Sequence, residues 1–146
     1  MTKRVRESIY LDAGVIVSIF LIDGFSNRAD TYLRSLSRPV VVSDFASAEF
    51  ISAVGRRLRM RELSDAEARL AISNFDGWRG GAVRPAETTS LDVVAAEQFP
   101  SRLDLVLRAP DALHIAIARR LGAELATFDS RMAECARALG APVATL

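Results

Sequence analysis

The chain has few of the residues from which disulfides, zinc sites and membrane spans are built. It contains one cysteine, Cys135, and one histidine, His114, so it can form neither an internal disulfide nor a zinc site with several Cys and His ligands. Residues 1–7 precede a short apolar segment that Asp12 interrupts, which is typical of neither a signal peptide nor a membrane span. We therefore expect a cytoplasmic protein with no membrane segment.

Lysine is almost absent as well. Lys3 is the single lysine among 19 basic residues, and 18 acidic residues leave a net charge of +1. No overall basic field indicates a nucleic-acid partner, but arginine is suited to bidentate binding of phosphate. The densest basic group is expected to be either a solvated helix face or a contact for an RNA backbone or an acidic partner. It consists of Arg56, Arg57, Arg59 and Arg61.

Apolar runs typical of buried strands alternate with helical patterns along the 146 residues, of which 50% are hydrophobic. We predict strands near residues 8–11, 40–42, 83–87 and 123–128, and helices near 15–21, 26–36, 44–58, 65–75, 90–97, 111–121 and 130–139. Ser26 is a plausible N-cap, Gly80 and Gly81 are expected to form a loop, and Pro85 confines its strand to a sheet edge. This order predicts a parallel sheet with helices on both faces, in one domain over residues 1–146.

Four acidic residues stand at unusual places in this pattern. Asp12 and Asp129 directly follow predicted strands, Asp111 begins an apolar helix, and Glu49 lies within another. In parallel sheets, ligands bind beyond the carboxyl ends of the strands. If the two strands are neighbours, the four side chains can meet there.

Such a cluster needs a compensating charge. Two like charges about 4 Å apart repel by about 4 kcal/mol at an effective dielectric constant near 20. Oxygen ligands of this kind favour Mg²⁺ or Mn²⁺, and these ions can orient and activate water for attack on a phosphodiester. The acidic residues therefore predict nuclease chemistry.

Each acidic residue also has a plainer interpretation. Asp12 and Asp111 can cap helices, and Asp129 can be a turn residue. Capping does not explain Glu49, whose neighbours one turn away on the helix are apolar. If Glu49 sits at the helix edge instead, Asp44 is the alternative ligand.

Several other residues have both a structural and a functional interpretation. His114, three residues after Asp111, is expected to be a packed or hydrogen-bonded histidine rather than a general base. Cys135 lies on an apolar helix face and is expected in the core. Phe75 and Trp78 can stack an RNA base, although packing in the core or against a partner is the preferred interpretation.

The sequence resembles the PIN-domain ribonucleases, and among them the VapC toxins of bacterial toxin and antitoxin pairs. The matching segments are 10–13, 43–49, 108–116 and 126–129. The segment Asp-Ala-Leu-His-Ile-Ala, followed by a strand and then Thr-Phe-Asp, is the most specific of them. One departure is Gly14, two positions after the first aspartate, where many relatives have Ser or Asn, so the resemblance does not extend to a supporting contact there.

This resemblance implies a fold, a chemistry and partners. The fold is a three-layer α/β/α sandwich with a mainly parallel central sheet, and the activity is Mg²⁺- or Mn²⁺-dependent endoribonuclease cleavage. The partners are substrate RNA, a cognate antitoxin protein and a second copy in a homodimer. The implied metal ligands and catalytic residues are Asp12, Glu49, Asp111 and Asp129, with Thr127 supporting them by hydrogen bonding.

The sequence does not match two other classes of acid-rich α/β protein. A phosphoacceptor receiver domain needs a lysine at a late strand end, which Lys3 cannot provide. A haloacid-dehalogenase phosphatase needs a general acid two residues after its nucleophile, where this chain has Gly14. The remaining alternative is a non-catalytic PIN-like scaffold that binds RNA or protein and uses its acidic residues only as caps.

Overall fold

The computed structural model describes residues 8–101 and 104–146; Lys3 and the rest of residues 1–7 lie outside it. Within the described residues, short strands and helices alternate along the chain. The strands are β1 (Ile9–Leu11), β2 (Val40–Ser43), β3 (Val83–Ala86) and β4 (Glu124–Ala126). The helices are α1 (Ala13–Phe20), α2 (Ser26–Ser35), α3 (Asp44–Arg59), α4 (Asp65–Gly81), α5 (Ser90–Gln98), α6 (Ala109–Arg120) and α7 (Ser130–Ala138). None of these helices is both long and apolar enough to cross a membrane.

The four strands form one parallel sheet in the order β3-β2-β1-β4. Strand β3 is at an edge, which is where Pro85 can be accommodated because it has no backbone N–H to donate to a further strand. At the other side, Leu125 in β4 also forms a parallel bridge with Val143 near the C-terminus. Strands β1 and β4 are neighbours and end side by side, with Leu11 opposite Ala126.

Alternate side chains of the strands enter two separate cores. Ile9 and Leu11 of β1 pack on one face with residues of α1, α3 and α4. Tyr10, between them, packs on the other face with α6, α7 and part of α5. The predicted three-layer α/β/α sandwich with a parallel central sheet is confirmed.

Side-chain caps fix where five of the described helices begin, and the caps of α3, α4 and α5 lie outside the acidic residues. Ser43, the last residue of β2, accepts a hydrogen bond from the Ala46 backbone N–H at 3.0 Å and starts α3 without an intervening loop. Capping boxes begin α4 at Ser64 and α5 at Thr89. The abrupt start of α3 matters for the site, because it carries Glu49 from the sheet end along the cleft described below.

Two local predictions are wrong. The predicted loop at Gly80 and Gly81 is the last turn of α4, where packing of Phe75 and Trp78 against Phe20 offsets the low helix propensity of glycine. Ser26 is not the cap of α2. Its hydroxyl donates to the Leu21 carbonyl and accepts from the Asp23 N–H, which stabilises the preceding turn instead.

Several boundaries also differ from the sequence prediction, among them those of α6 and β4. Helix α6 begins at Ala109 rather than Asp111, because proline is tolerated in the first turn of a helix, where its missing N–H is not needed. Strand β4 ends at Ala126 rather than Phe128. Gly122 and Gly140 have φ values of 64° and 74°, so each supplies the left-handed conformation that follows α6 and α7.

Candidate active site

A cleft of about 670 Å³ opens beyond the carboxyl ends of β1 and β4. The Asp12 N–H donates to the Ala126 carbonyl at 3.2 Å, so the chain leaves both strands at the same place. Helix α3 and the first turn of α6 form further walls. The cleft is lined by all four acidic residues singled out from the sequence, which are Asp12, Glu49, Asp111 and Asp129.

Asp12 is the most buried of these four residues, with 4% of its surface exposed. Its Oδ1 accepts from the Val15 N–H at 2.9 Å, so it caps α1 as well as lining the cleft. Burial raises the pKa of Asp12, and hydrogen bonds from Thr127 and Val15 partly oppose that effect. Asp12 therefore both caps α1 and lines the cleft, so its role as a helix cap does not exclude a role in the site.

Thr127 connects the segments that carry two of the carboxylates. Its side chain lies close enough to Asp12 to lower the pKa of that carboxyl. Its Oγ1 accepts from the Asp129 N–H at 3.0 Å. Asp129 in turn caps α7 by accepting from the N–H groups of Arg131 and Met132 at 3.0 and 3.1 Å. The Asp129 carboxylate is therefore oriented by the helix that it begins.

Glu49 ends a chain of buried hydrogen bonds. It contacts Nε2 of His114, whose Nδ1 lies 2.7 Å from the Tyr10 hydroxyl, which lies 2.8 Å from Ser43 Oγ. Because Ser43 Oγ already accepts from a backbone N–H, one arrangement satisfies every group: Ser43 donates to Tyr10, Tyr10 to Nδ1, and Nε2–H to Glu49. His114 is thus a buried, hydrogen-bonded side chain that holds Glu49.

Arginine side chains line the walls of the same cleft. Arg56, Arg57 and Arg59, near the end of α3, reach it, whereas Arg61 is not among the residues that line it. Arg61 has a φ of 58°, which changes the direction of the chain after α3. Arg61 is therefore separated from the other three arginines of the basic run. Arg108 also lines the cleft, and its Nε lies 3.3 Å from Asp111 Oδ2.

Asp44, the alternative ligand, lies elsewhere. Its Oδ1 accepts from the Thr88 N–H at 2.9 Å and from the Thr88 hydroxyl, and it does not line the cleft. Hydrogen bonds from the Thr88 hydroxyl and backbone hold the pKa of Asp44 below its ordinary value. The structure thus gives Asp44 a role in joining α3 to the segment after β3.

The cleft contains carboxylate oxygens of the kind that bind a hard cation, but these oxygens are not arranged around one point as in a complete metal site. Among the described residues, no three His, Cys, Asp or Glu side chains are close enough together to hold a metal ion. Glu49 faces His114 and Asp111 faces Arg108, so each carboxylate has a partner of its own. The donors are oxygen atoms around a buried carboxylate, which is the chemistry that Mg²⁺ and Mn²⁺ accept.

The sequence did not identify several residues that line the cleft, among them Asp23, Phe25, Arg108 and Phe128. Phe128 and Arg108 each stand within three residues of a predicted site aspartate, and that proximity was the available signal. Phe25 carries no such signal. Phe75 and Trp78, the aromatic residues weighed for base stacking, pack in the core as preferred.

Comparison of the sequence with known proteins finds matches that span almost the whole chain. The family model described as PIN domain matches residues 9–138. Ribonuclease VapC46 of Mycobacterium tuberculosis is 32% identical over 139 residues, which cover 93% of this chain and 95% of that protein.

Solved structures share the fold. VapC20 of Mycobacterium tuberculosis, described as a sarcin-ricin loop cleaving toxin, has a TM-score of 0.73 at 19% identity and covers 94% of this chain and 99% of its own. The DNA-bound VapBC structure from Salmonella typhimurium has a TM-score of 0.67 at 17% identity, covering 94% and 96% of the two chains. The chain therefore belongs to the PIN-domain family, and it is a VapC-type member of that family.

Proposed function

We propose that this protein is an endoribonuclease that depends on Mg²⁺ or Mn²⁺ and acts as the toxin of a toxin and antitoxin pair. The observation that carries the proposal is that four carboxylates from four separate segments line one cleft, with arginines on its walls. Loss of hydration makes such a cluster unfavourable for folding, so a ligand is the physical reason for it. The similarity to a VapC ribonuclease at 32% identity supports the same activity.

The proposed metal ligands and catalytic residues are Asp12, Glu49, Asp111 and Asp129. A bound divalent cation would neutralise charge on the scissile phosphate and lower the pKa of an attacking water. The residues of this chain hold the donors in place: Thr127 orients the floor of the cleft, and His114 fixes the position of Glu49.

Arginines would bind the substrate backbone. Arg56, Arg57 and Arg59 stand on the α3 wall and Arg108 at the start of α6, on the same cleft as the acidic floor. Guanidinium groups form paired hydrogen bonds with phosphate oxygens, which fixes the strand without reading its sequence. Arg108, now beside Asp111, would transfer to phosphate when a cation occupies the carboxylates.

The test is cleavage of a defined structured RNA by the purified protein with Mg²⁺, with Mn²⁺ and with chelator. We expect cleavage only with a divalent ion, and its loss in Asp12→Asn. The matched control is Asp44→Asn, an acidic residue outside the cleft, which should cleave at the wild-type rate. Cleavage in chelator, or cleavage by Asp12→Asn at the wild-type rate, would contradict the proposed metal site, and the absence of cleavage under all three conditions would favour the non-catalytic scaffold.

The partner proposal rests on the solved relatives, several of which are VapBC complexes. We expect an antitoxin segment to place a basic side chain near the acidic floor, and the toxin to form a homodimer. Co-expression with the product of the adjacent reading frame should suppress RNA cleavage and yield a stable complex. Light scattering of the purified chain measures whether it is a dimer, and a monomer at micromolar concentration would contradict that expectation.

A further inference from the structure

Two phenylalanine rings form a flat surface at the rim of the acidic cleft. The rings of Phe25 and Phe128 are stacked, with centroids 4.7 Å apart and planes 15° apart. The guanidinium carbon of Arg28 lies 5.6 Å from one centroid and 5.2 Å from the other. Both rings line the cleft, and Phe128 directly precedes Asp129. Phe25 is 42% exposed, so part of its ring is available to a ligand.

The turn that presents Phe25 is held by side-chain hydrogen bonds. The Phe25 N–H donates to Asp23 Oδ1 at 2.8 Å, and Asp23 Oδ2 accepts from Ser18 Oγ at 2.8 Å. Ser26 Oγ accepts from the Asp23 N–H at 2.9 Å and donates to the Leu21 carbonyl at 3.1 Å. A hydrophobic ring fixed in this way loses little conformational entropy when a ligand covers it.

The composition of the cleft matches one unpaired nucleotide better than a folded protein surface or a duplex. Its walls offer guanidinium groups for phosphate, its floor offers carboxylates, and its rim offers an aromatic face. Aromatic side chains stack on bases that are unpaired, whereas the bases of a duplex are already covered by their neighbours. Arg28 packs beside the two rings but does not line the cleft, and it donates to the Leu146 carbonyl at 3.1 Å, so it supports the rings rather than contacting the nucleotide.

We propose that Phe25, backed by Phe128 and flanked by Arg28, stacks on an unpaired base of the RNA next to the bond that is cleaved. The inference rests on the proposed ribonuclease function and adds to it a residue that holds one base beside the bond that is cleaved. Phe25 contributes the contact surface. Phe128, which directly precedes Asp129, holds the Phe25 ring at a fixed distance from the acidic residues of the cleft.

The experiment is a binding cycle between the ring and the base, made in the full-length Asp12→Asn protein so that RNA is not cut. A single-stranded RNA oligonucleotide is compared with versions in which one nucleotide at a time is abasic. With Phe25 present, one abasic position should weaken binding by roughly 5- to 100-fold. In Phe25→Leu, binding of the intact strand should fall by a similar factor, and the same abasic position should cause no further loss.

Matched variants separate stacking from folding. Phe25→Trp keeps an aromatic face and should retain the effect of the abasic position. Leu91→Ala removes an exposed apolar side chain on α5 away from the cleft and should leave binding unchanged. Circular dichroism and a melting curve confirm that each variant is folded.

Three outcomes would overturn the inference. One is that the abasic nucleotide weakens RNA binding by the same factor in the protein with Phe25 and in Phe25→Leu. Another is an equal effect of Phe25→Leu on single-stranded and duplex RNA. The third is that Phe25→Leu weakens only the complex with a co-expressed antitoxin, which would assign the rings to a protein partner. Failure of the wild-type protein to cleave RNA with Mg²⁺ or Mn²⁺ is a different result and contradicts the proposed function instead.

Discussion

The Nδ1 atom of His114 lies 2.7 Å from the hydroxyl oxygen of Tyr10, on the opposite side of the imidazole from Glu49. Tyr10 is fully buried in the sheet, so its hydroxyl cannot exchange this partner for water. The arrangement links a strand in the middle of the molecule to a carboxylate in the cleft. The surrounding donors and acceptors predict the His114 tautomer that carries its proton on Nε2, and a ¹⁵N spectrum of the imidazole tests this prediction.

Removal of the Tyr10 hydroxyl tests this link. We expect Tyr10→Phe to lower the free energy of unfolding by about 1 to 3 kcal/mol, because Nδ1 of His114 and the Ser43 hydroxyl each lose a buried partner. Urea unfolding measures the change. The matched control is Tyr32→Phe, because the Tyr32 hydroxyl is buried without a hydrogen-bond partner among the described residues. That substitution should be neutral or stabilising, and equal losses in both variants would contradict the assignment.

A second prediction concerns the ion pair between Asp92 and Arg120. The Asp92 side chain is 1% exposed and accepts from Arg120 at 2.7 and 3.0 Å and from the Thr89 N–H at 2.8 Å. Asp92→Asn leaves the guanidinium without its charge partner. We expect the free energy of unfolding to fall by about 1 to 3 kcal/mol, because charge-assisted hydrogen bonds to a buried carboxylate are lost while the guanidinium keeps contact with water. In contrast, Asp30→Asn in the exposed pair with Arg34 should change it by less than about 0.5 kcal/mol.

The same pair predicts how stability depends on pH. Burial of Asp92 opposes ionisation, but hydrogen bonds from Arg120 and Thr89 outweigh it and hold the pKa of Asp92 below its ordinary value. The stabilisation is therefore fully present above the unfolded pKa of about 3.9 and is lost as the pH falls through the lower folded pKa. Urea titrations between about pH 6 and 3 should show a smaller pH dependence in Asp92→Asn than in wild type, and parallel curves would contradict the prediction.

A third prediction concerns two glycines with different backbones. Gly14 is in α1, and a Cβ added there would lie 3.5 Å from Asp12 Oδ1, an ordinary van der Waals distance. Gly14→Ala should therefore raise the free energy of unfolding by about 0.5 to 1 kcal/mol, through the higher helix propensity of alanine. Gly140 has a φ of 74°, so Gly140→Ala should lower the same quantity by about 1 kcal/mol. Thermal unfolding of both variants measures the difference, and destabilisation by Gly14→Ala would show that this space is occupied.

A fourth prediction separates two arginines of one basic run. Arg59 lines the cleft and Arg61 does not. In an Asp12→Asn background, Arg59→Gln should weaken binding of single-stranded RNA and reduce the slope of log affinity against log salt by about 0.7, the value for one phosphate contact. Arg61→Gln should leave both quantities unchanged. Equal effects of the two substitutions would indicate a diffuse electrostatic contact rather than a defined one.

The alternation of strand and helix patterns was enough to predict the parallel sheet, its two helical layers and the edge position of Pro85, because these follow from hydrophobic periodicity and from the missing N–H of proline. It was not enough to predict that α4 continues through Gly80 and Gly81. That extension depends on the packing of Phe75 and Trp78 against Phe20, residues far apart in the chain.

The candidate site, like the fold, could be predicted only in part from the sequence. The positions of Asp12 and Asp129 after strands predicted that these residues would line one edge of the sheet, because parallel neighbouring strands end together. Their metal-binding role stays a prediction. Local sequence says nothing about the partner of His114, the exclusion of Arg61 from the cleft or the stacking of Phe25 on Phe128, since each of these depends on contacts between distant segments.

The sequence by itself determined the class of fold, the family resemblance and the acidic residues at the strand ends, because local periodicity and residue chemistry carry that information. Only the tertiary structure decided which side chains share the cleft and how they are held. The direction in which a side chain leaves its helix or strand is set by packing against residues that are remote in sequence. Phe25 shows this most clearly, because it reaches the cleft through a turn held by Asp23 and Ser26 and a ring contributed from the far end of the chain.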